Sequence, residues 1–291
     1  MIDLHTHSTA SDGTLAPEAL IDLAAAQKLT ALALTDHDTV AGLPAALAQG
    51  KKHGLEVVPG VELGIQWNGP EASGGQMHLL GYFFRADDAS LCERLSWLRD
   101  RRRERAQRIV EKLKAAGVAL SFERIEQIAG GESIGRPHVA QALIEAGAVS
   151  SIGEAFGRFL SHGRPGYEDK DELTPAQAIQ LIRSAGGVAV LAHPGTLKLK
   201  ASGLQRCVEE LMGYGLAGLE AIWSSHSAEQ MRELKALAEK MGLLITGGSD
   251  FHGENKPDIK LGTGRRNNVQ VPDSVLDGLR IRAEARGAGA S

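Results

Sequence analysis

Little in this chain is aromatic: Phe, Trp and Tyr make up 4% of its 291 residues. The core must then be assembled from the aliphatic side chains that bring the hydrophobic total to 43%. Cysteine is scarcer still. Cys92 and Cys207 stand far apart within helical patterns, which excludes a disulfide framework and indicates a reducing compartment. No run of about 18 apolar residues exists, so no transmembrane helix is expected. The opening MIDLHTHS has no basic stretch leading into an apolar one, so no signal peptide is expected and the chain reads as cytoplasmic. Nor is there an excess of positive charge. A net charge of −4 excludes the broad basic surface that duplex DNA requires, yet it leaves room for a small anion held in a local basic pocket. Nothing indicates an obligate protein partner.

What the chain does have is a rhythm. Short apolar runs at 2–7, 31–35, 55–61 and 77–84 read as strands, with helical patterns at 17–28 and 40–53 among them. From about 90 to 165 no strand pattern occurs. Leu91, Leu95, Leu98, Ala106, Ile109 and Leu113 instead follow helical spacing, and shorter helices are expected at 122–129, 138–146 and 151–160. Strand patterns resume at 187–192, 217–222 and 243–247, with helices near 174–185, 203–213 and 227–241. Seven strands with crossover helices predict a parallel barrel. The expected organisation is a β/α barrel from 1–89 and 166–270, a small all-helical insertion over 90–165, and a C-terminal helix and tail over 271–291.

Seven of the ten histidines lie in or just after an apolar strand run: His5, His7, His37, His78, His193, His226 and His252. One such histidine is more often a satisfied structural residue than a ligand. Seven at strand ends, which converge on one face of a barrel, are hard to explain that way. Carboxylates accompany them. Asp12 sits in a Ser-Asp-Gly turn, Asp36 and Asp38 flank His37, Glu62 closes the third strand, and Asp250 precedes His252 by two. A turn-forming role for Asp12 and a helix-capping role for Asp38 are the plain alternatives. Imidazole and carboxylate without thiolate suit manganese, zinc or iron at a catalytic site. Nine or more donors imply two or three divalent ions, with a carboxylate such as Glu62 as a bridge. Such clusters suit phosphoester hydrolysis.

Taken in order, His5-Thr6-His7, Asp12-Gly13, Thr35-Asp36-His37-Asp38, Pro59-Gly60-Val61-Glu62, His78, Ala192-His193-Pro194 and Ser249-Asp250-Phe251-His252 resemble the motifs of the polymerase and histidinol phosphatase (PHP) family. The resemblance spans about residues 2 to 265. It implies a distorted seven-stranded TIM-like barrel of the amidohydrolase-like kind, with a trinuclear centre. Carried over residue by residue, its ligands would be His5, His7, Asp12, His37, Glu62, His78, His193, Asp250 and His252, with manganese first among the metals.

Gly135-Arg136-Pro137-His138 and Gly163-Arg164-Pro165-Gly166-Tyr167 resemble one branch of that family. Its members are 3′,5′-nucleotide bisphosphate phosphatases, some of them also 5′→3′ exoribonucleases on short RNA. The resemblance thus implies removal of a 3′-phosphate from a small nucleotide, or action on short RNA. Trp223-Ser224-Ser225-His226 departs from the usual Tyr-Pro-Ser-His pattern but keeps the histidine. Arg136, next to a proline suited to the first turn of a helix, is expected to bind substrate phosphate. His138, Arg164 and His226 are further substrate-binding candidates, and His226, Asp36 and Asp38 are candidate catalytic residues. The run from Arg99 to Arg105 reads as a solvated helix face, although Arg102 falls on the apolar stripe and so points inward. Two other readings compete. One is histidinol-phosphate phosphatase, against which the Arg136 region and the insertion weigh. The other is a non-catalytic PHP module, against which the full ligand set weighs.

Overall fold

A computed structural model of the chain describes residues 1–67, 76–130 and 133–287. Seven strands line up in chain order into one curved sheet: β1 (Ile2–Thr6), β2 (Ala31–Leu34), β3 (Glu56–Ile65), β4 (Met77–Tyr82), β5 (Val188–Leu191), β6 (Gly218–Trp223) and β7 (Leu244–Gly248). The sheet nearly closes on itself. Asp250 N donates to His5 O at 2.9 Å and His7 N to Phe251 O at 3.0 Å, so the segment after β7 ties onto β1. Helices α1 (Pro17–Ala26) and α2 (Leu43–His53) pack outside the first half of the sheet. Their apolar faces meet β2 and β3 through Leu20, Ile21, Leu43 and Ala46, all buried.

The strand-helix rhythm predicts a parallel barrel, and the structure corrects this at one strand. β4 runs antiparallel to both β3 and β5. Residues 66–76 join β3 to β4, too short a link for a crossover helix, so the chain must reverse. The reversal matters for the site. His78, at the start of β4, pairs with Gly64 near the end of β3, on the rim where the other strands finish.

β4 leads into α3 (Ala89–Ala115), α4 (Phe122–Ala129), α5 (Arg136–Glu145) and α6 (Ile152–Ala155), followed by a π-helical turn over Phe156–Leu160. The seam between insertion and barrel falls inside α3. Leu91, Leu95 and Leu98 belong to the barrel's outer core. Ala106, Ile109 and Leu113 belong to a separate helical core with Ile125, Val139, Leu143 and Leu160. After it come α7 (Pro175–Ser184), α8 (Ala201–Tyr214), α9 (Ala228–Lys240), a small hairpin of β8 (Ile259–Lys260) and β9 (Gly264–Arg265), and α10 (Asp273–Gly287). Among the described residues no helix is long and apolar enough to cross a membrane.

Candidate metal centre

The strand ends deliver their polar side chains to one point. Four overlapping groups have donor atoms within 4.8 Å of one another: His7, Asp12, His37 and His252; His5, His7 and Asp250; His5, Glu62 and His193; His37, Glu62 and His78. Together they contain the nine residues expected as ligands. Glu62 is the hub. Its Oε1 lies 2.7 Å from His78 Nδ1 and 2.9 Å from His193 Nε2, and its Oε2 lies 3.1 Å from His5 Nε2 and 3.2 Å from His7 Nε2.

Hydrogen bonding alone does not account for this cluster. Both ring nitrogens of His7 and Nδ1 of His37 are buried without a hydrogen-bond partner. An orphaned buried polar atom costs on the order of 1–3 kcal/mol. The residues therefore fit divalent ions.

Electrostatics point the same way. Burial acts to raise the carboxyls of Asp12 and Glu62, yet the surrounding imidazoles hold both well below the usual carboxylate range; His252 and His37 dominate for Asp12, and His37 and His5 for Glu62. Burial lowers His7, His37 and His78, keeping them neutral and able to donate lone pairs.

Backbone and neighbouring groups aim these ligands. His5 Nδ1 lies 2.8 Å from Glu220 Oε1, so its proton sits on that side and Nε2 faces the cluster. Glu220 Oε2 accepts from His193 N at 2.8 Å. His252 Nδ1 donates to Asp250 O at 2.9 Å, leaving Nε2 3.2 Å from Asp12 Oδ1. His193 and Asp250 have φ of 26° and 58°, a left-handed conformation that non-glycine residues hold only under surrounding constraint. Gly248 cannot be larger, since an added Cβ would meet His5 N at 2.4 Å.

Several candidates take other places. Asp36 lies behind the cluster, with both oxygens engaged: Ser8 N and Ser11 Oγ bond Oδ1 at 2.8 and 2.6 Å, and Ser8 Oγ bonds Oδ2 at 2.7 Å. It shapes the loop that carries Asp12 and is not free for catalysis. Asp38 is bound by Arg102, whose Nε lies 2.6 Å from its Oδ2, so it too is withdrawn from a catalytic role. His226 is not among the residues that line the cavity beside the cluster. Its Nδ1 donates to Ala221 O at 3.1 Å and its Nε2 accepts from Gly195 N at 3.1 Å, which occupies both nitrogens and fixes a neutral ring. Burial lowers its pKa, and its strand-end position serves the His193-Pro194-Gly195 turn. His138 accepts from Gly135 N at 3.0 Å and caps α5 from beneath. Arg164 lies exposed in a turn, away from the cavity beside the cluster.

That cavity, about 170 Å³, is shared by two kinds of residue. Asp12, His37 and His78 line one side; Arg102, Arg105, Arg136, Lys170, Ser133 and Phe156 line the other. Arg136 is held by Leu160 O at 3.3 Å and by the face of Phe156. Burial, then repulsion from Arg136 and Arg102, lowers Arg105 to about 10. Burial also lowers Arg136 and Lys170. Ser133 is buried with its hydroxyl unpartnered, just before the N-terminus of α5. Crowded cations, an idle hydroxyl and a helix N-terminus together describe an anion site. Of these residues, Arg105, Lys170 and Ser133 are not among the sequence candidates; nor is Glu220, although a lone acid inside the strand Ala-Gly-Leu-Glu-Ala-Ile was a signal.

Residues 3–132 match the family model described as PHP domain. The chain is 37% identical over 262 residues to the 5′-3′ exoribonuclease Rnm of Escherichia coli, covering 89% of this chain and 87% of that one. It is 35% identical over 261 residues to the 3′,5′-nucleoside bisphosphate phosphatase of Chromobacterium violaceum, covering 89% and 90%. A solved structure of an amidohydrolase from Chromobacterium violaceum, with bound sulfate and no metal, superposes with a TM-score of 0.83 at 32% identity, over 97% of this chain and 96% of that one.

Proposed function

Because the chain belongs to the PHP-domain family, we propose that it is a metal-dependent phosphoric monoester hydrolase which removes the 3′-phosphate of nucleotide 3′,5′-bisphosphates and also releases 5′-nucleotides from short RNA. One observation carries the reading: a single cavity offers a metal-type donor cluster on one wall and a cationic anion site on the other. A substrate with two phosphates on one nucleotide would use both.

On this reading three divalent ions, manganese foremost, would be held by His5, His7, Asp12, His37, Glu62, His78, His193, Asp250 and His252. When bound, such ions activate water and offset charge on the phosphoryl and leaving oxygens. The chain's own residues do the rest. Arg136, Arg105 and Ser133 hold the 5′-phosphate, fixing the distance at which the 3′-ester reaches the cluster. Arg102 is already neutralised by Asp38, and Lys170 by Glu172 at 2.8 Å, so both serve as struts. His226 is not placed as the proton donor, since backbone groups engage both its ring nitrogens.

Phosphate release tests the reading. A nucleotide 3′,5′-bisphosphate is expected to outperform histidinol phosphate and a nucleoside 3′-monophosphate. Arg136→Ala should cost roughly 2–4 kcal/mol in kcat/KM on the bisphosphate and little on the 3′-monophosphate. Equal damage to both substrates would remove the 5′-phosphate from Arg136.

A further inference from the structure

Trp223 stands where the chain departs from the Tyr-Pro-Ser-His pattern, and its indole joins two parts of the cluster. We propose that Trp223 is a positioning residue that fixes His193 and Asp250 together and thereby sets the affinity of the centre for its ions. The inference rests on the metal reading above.

The geometry is specific to an indole. Trp223 Nε1 donates to Asp250 Oδ2 at 3.2 Å, and Lys256 Nζ holds the same oxygen at 2.7 Å. With Oδ2 taken by two donors, Oδ1 is left to the cluster, 3.5 Å from His7 Nε2 and 3.7 Å from His5 Nε2. The indole also packs on His193, with centroids 5.0 Å apart at 41°, and its edge meets His226 at 5.0 Å and 70°. His226 in turn holds Gly195 N, so Trp223 braces the ring of His193 and the turn that follows it. His193 and Asp250 end β5 and β7 and belong to different donor groups, one with Glu62 and one with His7. One side chain at the end of β6 thus reaches a ligand on each neighbouring strand end. Groups that orient metal ligands typically change metal affinity 10–100-fold when removed.

Two substitutions separate the contacts. Trp223→Phe keeps ring packing and deletes the N–H; Trp223→Ala deletes both. Metal-free protein is titrated with Mn²⁺ alone, free Mn²⁺ being read by electron paramagnetic resonance and bound metal by elemental analysis. The Phe variant is expected to bind one ion about tenfold more weakly with the others unchanged, and the Ala variant to weaken two. Lowered kcat with KM for the nucleotide within about twofold should accompany this. Trp97→Phe, at an exposed tryptophan on α3, is expected to bind as the wild type does. Two results overturn the inference: a Phe variant with wild-type Mn²⁺ binding, or uniform loss of all ions in step with a lower melting temperature of the metal-free variant, which would mark a merely structural residue. Failure of the wild type itself to take up Mn²⁺ overturns the metal reading and this inference with it, and is told apart by the wild-type titration.

Discussion

For an imidazole at this rim, the job is decided by what its two nitrogens touch. His5 spends Nδ1 on Glu220 and keeps Nε2 for the cluster, while His226 spends both nitrogens on backbone groups. His226→Asn is therefore expected to lower turnover modestly and by the same factor on a nucleotide ester and on an activated aryl phosphate, with the acidic limb of the pH–rate profile in place. Loss confined to the nucleotide ester would instead make His226 the acid that protonates the leaving oxygen. This separation was not legible in the sequence, where His226 and His252 each follow an apolar run. The nine-donor cluster was legible, because so many imidazoles and carboxylates at the ends of apolar strands must satisfy one another or a cation where the strands converge. Glu220 gave the same signal from within β6. Lys170 gave none, since its setting of Glu168-Asp169-Lys170-Asp171-Glu172 looks like any solvated charge run.

Element by element, α3 carries the largest burden. Its Arg102 crosses to Asp38 beyond β2, with Nε 2.6 Å from Oδ2, and Asp38 is buried. Truncating one partner leaves the other charge buried and unpaired, so Arg102→Met should cost about 3–5 kcal/mol in urea unfolding. The double variant with Asp38→Asn should regain much of that. Additive losses would show that the pair is not coupled. The sequence spacing put Arg102 on the inward stripe, and the structure places it there. The direction of β4 was harder to read, because an alternating pattern is the same in both senses. The strand read at 55–61 left fifteen residues before 77, enough for a crossover; only the extension of β3 to Ile65 shortens the link to 66–76, below the dozen or more residues that a parallel crossover needs.

For the molecule as a whole, pH acts chiefly through buried imidazoles. Burial depresses His7, His37, His78, His138 and His226 below the ordinary 6.5. The unfolded chain takes up protons there that the folded chain refuses, so this stability is present above about pH 6.5 and is lost as pH falls. His5, raised by Glu220 and Glu62 against the effect of burial, works the other way, as do Asp3 and Asp36, raised by burial. Bound ions need neutral rings and so add to the first group. The melting temperature should fall from pH 7 to pH 5, more steeply with Mn²⁺ than with a chelator; a rise would reverse the assignment. The reversed β4 has a mechanical consequence. It sends the chain to the far end of the barrel, so α3 must climb the whole wall before reaching the insertion. As a 27-residue rod it is about 40 Å long, anchored below by Leu91, Leu95 and Leu98 and above by Ile109 and Leu113. Arg102 and Arg105 lie near its midpoint, so the two anchored halves of the rod fix where both guanidinium groups line the cavity.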